Sequence, residues 1–440
     1  MSDKIKSVQA TETFAERGIL GLEVTVTTDS GAIGVATPSA GVSTGIYEAD
    51  FVLDGGSRYG GMGQRQAARN INETIGPAVI GMEVARQRDV DALMIALDGT
   101  PTKAKLGANA IVGVSLAVVK AAAASAGLPL YQYIGGPNAC TIPIPIVNAG
   151  LGGRYRDPGQ TRWLKPSFEY LAYGAGSFWR AHEICWEIKR ELGKMVVGRF
   201  GSAVLNYNGE VALGGYLKDD RELLDMMTEA ITKAGYEGQI GIYVDMAAGT
   251  YYQEDIDRYV GFMAEGQRTR DDMLKHYQSL IQNYPFVSME DPLREEDMEG
   301  HALFTRELGI EIVGDDLFTT NIRRLKMGAD IGAANSMVLK ITQVGTVSEA
   351  LDACQECYRR GYNVHPCGSR GDAASIVDFA VGLNAGQVRA GGAEGNAGYK
   401  RCLAIERELG KAAVWPGKAA FQGAGQPWLR ERGDADPKPR

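Results

Sequence analysis

Positive charge is in deficit in this chain. Lysine and arginine number 46 against 54 aspartates and glutamates, a net charge of −8. A nucleic-acid binder needs a basic surface to neutralise phosphates, so no nucleic-acid partner is expected. Cysteine is scarce, with 6 in 440 residues, which does not resemble a disulfide framework. Long apolar runs are missing: Lys120 interrupts the best candidate, so no membrane span is expected. The opening Met1-Ser2-Asp3-Lys4-Ile5-Lys6 lacks the apolar core of a signal peptide, and a cytoplasmic location is expected. Linker-like low-complexity segments and short-period repeats are also lacking. What is present is a composition 45% hydrophobic and 23% charged, ordinary for a globular enzyme. The length suffices for a large barrel and a second domain.

Three short apolar runs end in charge. Phe286-Val287-Ser288-Met289-Glu290-Asp291 and Glu311-Ile312-Val313-Gly314-Asp315-Asp316 end in carboxylates, and Ser336-Met337-Val338-Leu339-Lys340 ends in an ammonium. Glu290, Asp315 and Lys340 stand at intervals of 25 residues, which is one strand, one helix and two short loops. That is the unit of a parallel α/β barrel, whose strand ends converge at one mouth. Two acids there suit a hard cation such as Mg²⁺. A lysine held near bound cations would have a lowered pKa and act as a base.

Ahead of these runs, Gly21–Thr27 alternates and is β-branched, so it reads as a strand returning through Ala32–Thr37. Pro38-Ser39-Ala40-Gly41-Val42-Ser43-Thr44-Gly45 is a loop of small residues able to approach a ligand closely. The pattern predicts helices over Ala67–Ile80, Val90–Leu97, Asn109–Ala126 and Arg221–Ala234, with Gly235 closing the last. Gly241–Asp245 is a strand ending in another acid, Thr346–Glu349 is a capping box, and Asn363 begins a further strand. Residues 1–136 are therefore expected as an α+β domain, 137–430 as a barrel, and 431–440 as a polar tail. Cys354 and Cys357 form a CxxC with His365 and Cys367 nearby, but Cys354 shares an apolar face with Ala350, Leu351 and Tyr358, so the pair reads as core and not as a zinc site. His182, His276 and His301 carry no readable signal.

The whole chain resembles the enolase family. The similarity is dense in Lys105–Ile111 and Leu128–Tyr131, and covers Pro38–Gly45, Ser288–Pro292, Val313–Leu317 and Val338–Lys340. It implies an α/β fold: an N-terminal α+β cap on a C-terminal (β/α)8-type barrel whose first strands depart from the all-parallel pattern. It implies two Mg²⁺ per site, with Asp245, Glu290 and Asp315 as ligands of the first and Ser43 joining the second. Lys340 matches the general base, and Glu210 looks like the acid that protonates the leaving hydroxide. A lysine base with a magnesium-stabilised enediolate is this superfamily's known device, not a deduction from these residues. The resemblance also implies a homo-oligomer, a dimer or an octamer.

Departures from the family pattern cluster around that site. The family's Gly-Gly-Ser-His is Gly152-Gly153-Arg154-Tyr155, and its Gln-Glu-Phe is Pro166-Ser167-Phe168. Glu169, two residues on and on the same face if this is a strand, is an alternative to the glutamate lost at Ser167. The segment that grips phosphate reads Cys367-Gly368-Ser369-Arg370-Gly371-Asp372, and the lysine of Gly-Gln-Ile-Lys is Arg389. Arg154, Ser167, Ser369, Arg370 and Arg389, with Ser43, are thus the expected contacts of a small anionic phospho- or phosphono-carboxylate. The exchanges at Arg154 and Ser167 make the site more positive by about two charges if both face it. A larger, more acidic substrate follows as the expectation: a glycerate bearing a phosphonoformyl group, dehydrated to a carboxyphosphonoenolpyruvate. That is the reaction of the family's carboxyphosphonoenolpyruvate synthases, in phosphinothricin-type antibiotic pathways. The alternatives are an ordinary or weakened enolase acting on 2-phosphoglycerate, and a non-catalytic binding protein on the same fold.

Overall fold

The alternation of Val24 and Val26 with Thr25 and Thr27 does what a period of two requires, burying the valines and leaving the threonines half-buried. In this computed structural model, which describes residues 3–15, 19–41, 44–152, 165–206, 209–390 and 397–422, that segment is the centre of an antiparallel meander. Strands β1 (Ile5–Phe14), β2 (Leu20–Thr28) and β3 (Ile33–Ala36) lie in that order. β1 carries little apolar alternation, with Ile5 and Val8 its buried residues, and so left no periodic signal.

A helical run follows. α1 (Arg65–Asn70) passes through a π-helical turn at Ile71–Ile75 into α2 (Gly76–Val79), where one helix over 67–80 was expected. Pro77 cannot donate to the turn before it, and that turn is the one that widens. After α3 (Gln87–Asp98) comes α4 (Ala108–Ser125), long and apolar enough to cross a membrane but 83% buried within the protein. It packs on β3 so closely that a Cβ at Gly34 would stand 2.0 Å from the Ala117 carbonyl oxygen. Lys120, its one charged residue, reaches out to the Val35 carbonyl and to Asp372, both at 2.6 Å. α5 (Leu130–Gly135) closes this part.

The second part is a barrel. β4 (Ile144–Pro145), β5 (Val147–Leu151), β6 (Ser167–Leu171), α6 (Phe178–Phe200), β7 (Val211–Ala212), α7 (Arg221–Ala234) and β8 (Gly241–Asp245) open it. A small antiparallel excursion of β9 (Tyr252–Gln253), β10 (Arg258–Val260) and β11 (Gln267–Arg268) leads to α8 (Arg270–Asn283). Strand and helix then alternate: β12 (Phe286–Glu290), α9 (Met298–Leu308), β13 (Glu311–Gly314), α10 (Ile322–Ile331), β14 (Ser336–Leu339), α11 (Ile341–Val344), α12 (Val347–Arg359), β15 (Asn363–Pro366), α13 (Ala373–Gly382), β16 (Gln387–Val388) and α14 (Ala397–Leu409). The sheet order is β15-β14-β13-β12-β8-β6-β5-β7. A bridge from Cys367 to Arg389 and the pairing of β16 with β4 close the ring. β6 runs against both neighbours, whereas β8, β12, β13, β14 and β15 are parallel. The C-terminal ends of the parallel strands therefore share one mouth, where β6 contributes its N-terminal end.

Cys354 and Cys357 are fully buried on α12, as core. Tyr358, read with them as apolar face, is exposed and donates its hydroxyl to the Leu383 carbonyl at 2.9 Å. The expected tail, 431–440, lies outside the described residues.

Candidate active site

Each carboxylate or ammonium at the mouth is the last residue of a strand or the first beyond it. Asp245 ends β8 and Glu290 ends β12, opposite each other in register. Asp315 follows β13 and Lys340 follows β14. All four are buried. The carboxylate oxygens of Glu290, Asp291 and Asp315 lie within 4.8 Å of one another, a grouping able to hold a metal ion. It shares two members with the expected trio of Asp245, Glu290 and Asp315.

Asp291 has other work. Its oxygens accept the backbone amides of Asp315 at 3.1 Å, Asp316 at 2.8 Å and Leu317 at 3.4 Å. It therefore fixes the end of the next strand, from a left-handed backbone (φ 42°) that aspartate tolerates. Asp245 is paired with Lys165 and lies 3.9 Å from Arg389. Glu290 accepts the Tyr243 hydroxyl and lies 3.6 Å from Arg389. Asp245, Glu290 and Asp315 present carboxylates on three adjacent strand ends, and an oxygen-only donor set of this kind fits a hard cation such as Mg²⁺.

The electrostatics follow from burial and from who neighbours whom. Burial and the Asp245 charge push Glu290 well above the usual carboxylate range. Burial would also raise Asp315, but the ammonium and hydrogen bond of Lys340 outweigh it and hold Asp315 at about 2. Asp316, beside Asp315, is pushed up to about 7 by burial and its neighbour's charge, against a weaker pull from Lys340. The lowered pKa expected of Lys340 belongs to a site with cations bound, and the protein's own side chains act the other way. Burial acts to lower its pKa, but direct contact with Asp315 raises it above the ordinary lysine value. Lys340 can act as a base at neutral pH only once the Asp315 charge is engaged elsewhere.

Ser167 and Glu169 face the barrel from β6. Ser167 pairs with Asp245 at the mouth, and Glu169 lies two pairs deeper, opposite Tyr243. Glu169 is fully buried, accepts the Ser167 hydroxyl at 2.6 Å, and stands 3.2 Å from Arg389. Burial pushes it up to about 7 against the pull of Arg389. The expected gain of about two positive charges is thus overstated: the carboxylate missing at Ser167 is returned by Glu169.

Arg370 is buried and bound by both oxygens of Glu48, at 2.6 and 2.5 Å. Glu48 comes from the N-terminal part and also accepts the Gly45 amide at 3.0 Å. Ser369 accepts a hydrogen bond from Cys367 at 3.3 Å. Gly371 turns with φ +77°, and a Cβ there would meet the Thr37 carbonyl oxygen at 2.3 Å. That close approach brings the 38–45 loop's flank against the barrel. Glu210 is buried with the Lys189 charge beside it. Ser43 and Arg154 lie outside the described residues.

Sequence reading missed Lys165, Glu48, Asp291 and Gln343, whose amide donates to Asp315 at 2.8 Å. Gln343 and Asp291 had a signal in being one turn and one residue from named site residues. Lys165 and Glu48 had none.

Against this geometry, the enolase N-terminal domain model matches residues 5–134, and the enolase C-terminal TIM barrel domain model matches residues 139–424. The chain belongs to the enolase family. Among curated relatives, the enolase of Methanocaldococcus jannaschii is 42% identical over 414 residues, 92% of this chain and 96% of that protein. The enolase of Thermococcus gammatolerans is 43% identical over 425 residues, 94% and 97% of the two chains. That of Pyrococcus furiosus is 42% identical over 425 residues, with the same coverage. The enolase fold, cap and barrel, thus accounts for nearly the whole chain.

Proposed function

We propose that this enolase-family chain is a magnesium-dependent carbon–oxygen hydro-lyase. It takes the α-proton of 2-phosphoglycerate and eliminates water to give phosphoenolpyruvate. The observation that carries the reading is the contact of Lys340 with Asp315 at one mouth shared with Glu290 and Asp245. A proton next to a carboxylate is weakly acidic, because its removal adds a second negative charge to the same group. Mg²⁺ held by Asp245, Glu290 and Asp315, with Ser43 at a second ion, stabilises that dianion when bound. Lys340 receives the proton, and Glu210 donates one to the departing hydroxide. Arg370, Ser369, Arg389, Ser167 and Arg154 bind the anionic ends.

A phosphonoformyl-bearing glycerate is the second reading, favoured by the planar fork of Arg389, which suits a carboxylate or phosphonate. It drew its force from surplus positive charge. Glu169 now partners Arg389 and returns the carboxylate missing at Ser167, which removes about one of the two surplus charges. The curated relatives named above are enolases, and they favour the ordinary substrate. Coupled assays on both substrates decide the matter. The expected result is a kcat/KM at least about tenfold higher on 2-phosphoglycerate, and the reverse order would establish the phosphonate reading instead. Lys340→Ala is expected to abolish exchange of the α-proton with deuterium while circular dichroism stays unchanged; retained exchange removes Lys340 from the mechanism. Homo-oligomerisation belongs to the same proposal, and a monomer in light scattering would refute it.

A further inference from the structure

Arg389 stands where three carboxylates converge. Its Nη2 is 3.2 Å from Glu169 Oε1 and 3.6 Å from Glu290 Oε2, and its Nη1 is 3.9 Å from Asp245 Oδ2. The Tyr243 ring lies 5.3 Å from the guanidinium carbon. The backbone is fixed as well, with the Arg389 amide donating to Pro366 and its carbonyl accepting from Gly368. Two of the three carboxylates, Asp245 and Glu290, are among those proposed above to hold a divalent cation. A guanidinium resting on both competes with that cation for the same oxygens.

Glu169 is different. Its backbone lies two pairs deeper than the mouth pair of Ser167 with Asp245, about 6.6 Å along the strand. Its second oxygen, Oε2, has no hydrogen-bond partner among the described residues, and neither has Nη2 of Arg389. A buried carboxylate with unused acceptor capacity, beside a buried guanidinium with unused donors, is a preformed resting place for that guanidinium.

We propose that Glu169 is a positioning residue that draws Arg389 off Asp245 and Glu290, so that its guanidinium does not compete with a cation for their oxygens and its charge is kept at the site for an anionic substrate. The second half rests on the hydro-lyase reading above; the first is a competition between this chain's own side chains. Without Glu169, the carboxylates near Arg389 among the described residues are Asp245 and Glu290, and a guanidinium drawn to them stands in the way of an ion. Ser167 supports the arrangement, its hydroxyl holding the other oxygen of Glu169 at 2.6 Å.

The test is Mg²⁺ titration by calorimetry without substrate, on the full-length protein at about pH 8.5, where the Glu169 carboxyl is ionised. Glu169→Gln keeps the shape and the acceptor for Ser167, and is expected to weaken Mg²⁺ binding about tenfold. Glu169→Gln with Arg389→Gln is expected to recover it to within about twofold of wild type, because the competing charge is gone. A purely structural Glu169 would give a double variant no better than the single one, and that result overturns the proposal. So does Mg²⁺ affinity in Glu169→Gln within about twofold of wild type. If Glu169→Gln does not fold by circular dichroism, Glu169→Asp takes its place with the same expectation, its shorter arm withdrawing the carboxylate from Arg389. Wild-type protein that binds no Mg²⁺ would refute the hydro-lyase reading and the inference together, whereas Mg²⁺ binding indifferent to Glu169 refutes the inference alone. With 2-phosphoglycerate at saturating Mg²⁺, KM of Glu169→Gln is expected to rise by a larger factor than kcat falls. An equal loss from both would count against a role in holding Arg389 for the substrate.

Discussion

Asp291 follows Glu290 in sequence, yet its carboxylate is spent on the amides of Asp315, Asp316 and Leu317. A reader of the sequence sees two adjacent acids and no way to tell ligand from anchor; the distinction lies in which way each faces on the strand end. Asp291→Ala should orphan buried amides at a cost on the order of 3 kcal/mol, and should also weaken Mg²⁺ binding because Asp315 loses its anchor. Asp315→Asn removes the charge of a proposed ligand without touching those amides, so it should weaken Mg²⁺ binding, and its stability cost, also on the order of 3 kcal/mol, comes instead from the buried Lys340 ammonium that loses its contact. Urea denaturation and calorimetry on the two variants check this. Equal stability of Asp291→Ala and wild type would show that the anchor is dispensable.

Within α9 the informative residue is one that sequence reading set aside. His301 is fully buried; its Nδ1–H donates to the Asp297 carbonyl at 2.9 Å, and Nε2 has no partner among the described residues. Burial pushes its pKa down to about 4, against an ordinary 6.5. As pH falls below 6.5 the unfolded chain takes up a proton that the folded chain refuses until about 4, so stability falls with pH across that window. The loss between pH 7 and pH 5 is about 2 kcal/mol from this group. His301→Gln should lose less stability than wild type over the same interval, by about that amount, in urea unfolding at the two pH values. Parallel pH dependence of the two proteins would mean that His301 is not the group responsible.

At the scale of the whole molecule, charged side chains join the N-terminal part to the barrel. Glu48 holds Arg370, Lys120 holds Asp372, and Lys103 holds Glu349 at 3.0 Å. Both partners in the Glu48–Arg370 pair are buried, and removing Glu48 takes from Arg370 a carboxylate bound through both oxygens. Glu48→Ala should cost about 3–5 kcal/mol, and adding Arg370→Ala should return part of that stability. Urea denaturation of the single and double variants measures it, and a double variant less stable than Glu48→Ala would contradict the account. The same pairing ties the loop flank that carries Gly45 to the residue expected to grip the substrate's anion, which makes the cap part of the site.

Much of the architecture was legible because it is written in local periodicity. Arg221–Ala234 has the bounds expected of it, ending at Gly235 with φ +79°, since an amphipathic stripe and a left-handed cap are properties of neighbouring residues. The 25-residue spacing of Glu290, Asp315 and Lys340 placed them at one mouth, because each strand–helix unit returns the chain to the same end of the barrel. The partners of those charges were not legible. Glu48 and Arg370 are 322 residues apart, and nothing near either announces the other. Glu169 meets Arg389 because β6 runs antiparallel, presenting its N-terminal end to the mouth and Glu169 two pairs below. Period and punctuation report which face a residue takes and where a strand ends; which charges then meet is decided by strand order and direction, and these exist only in the closed barrel.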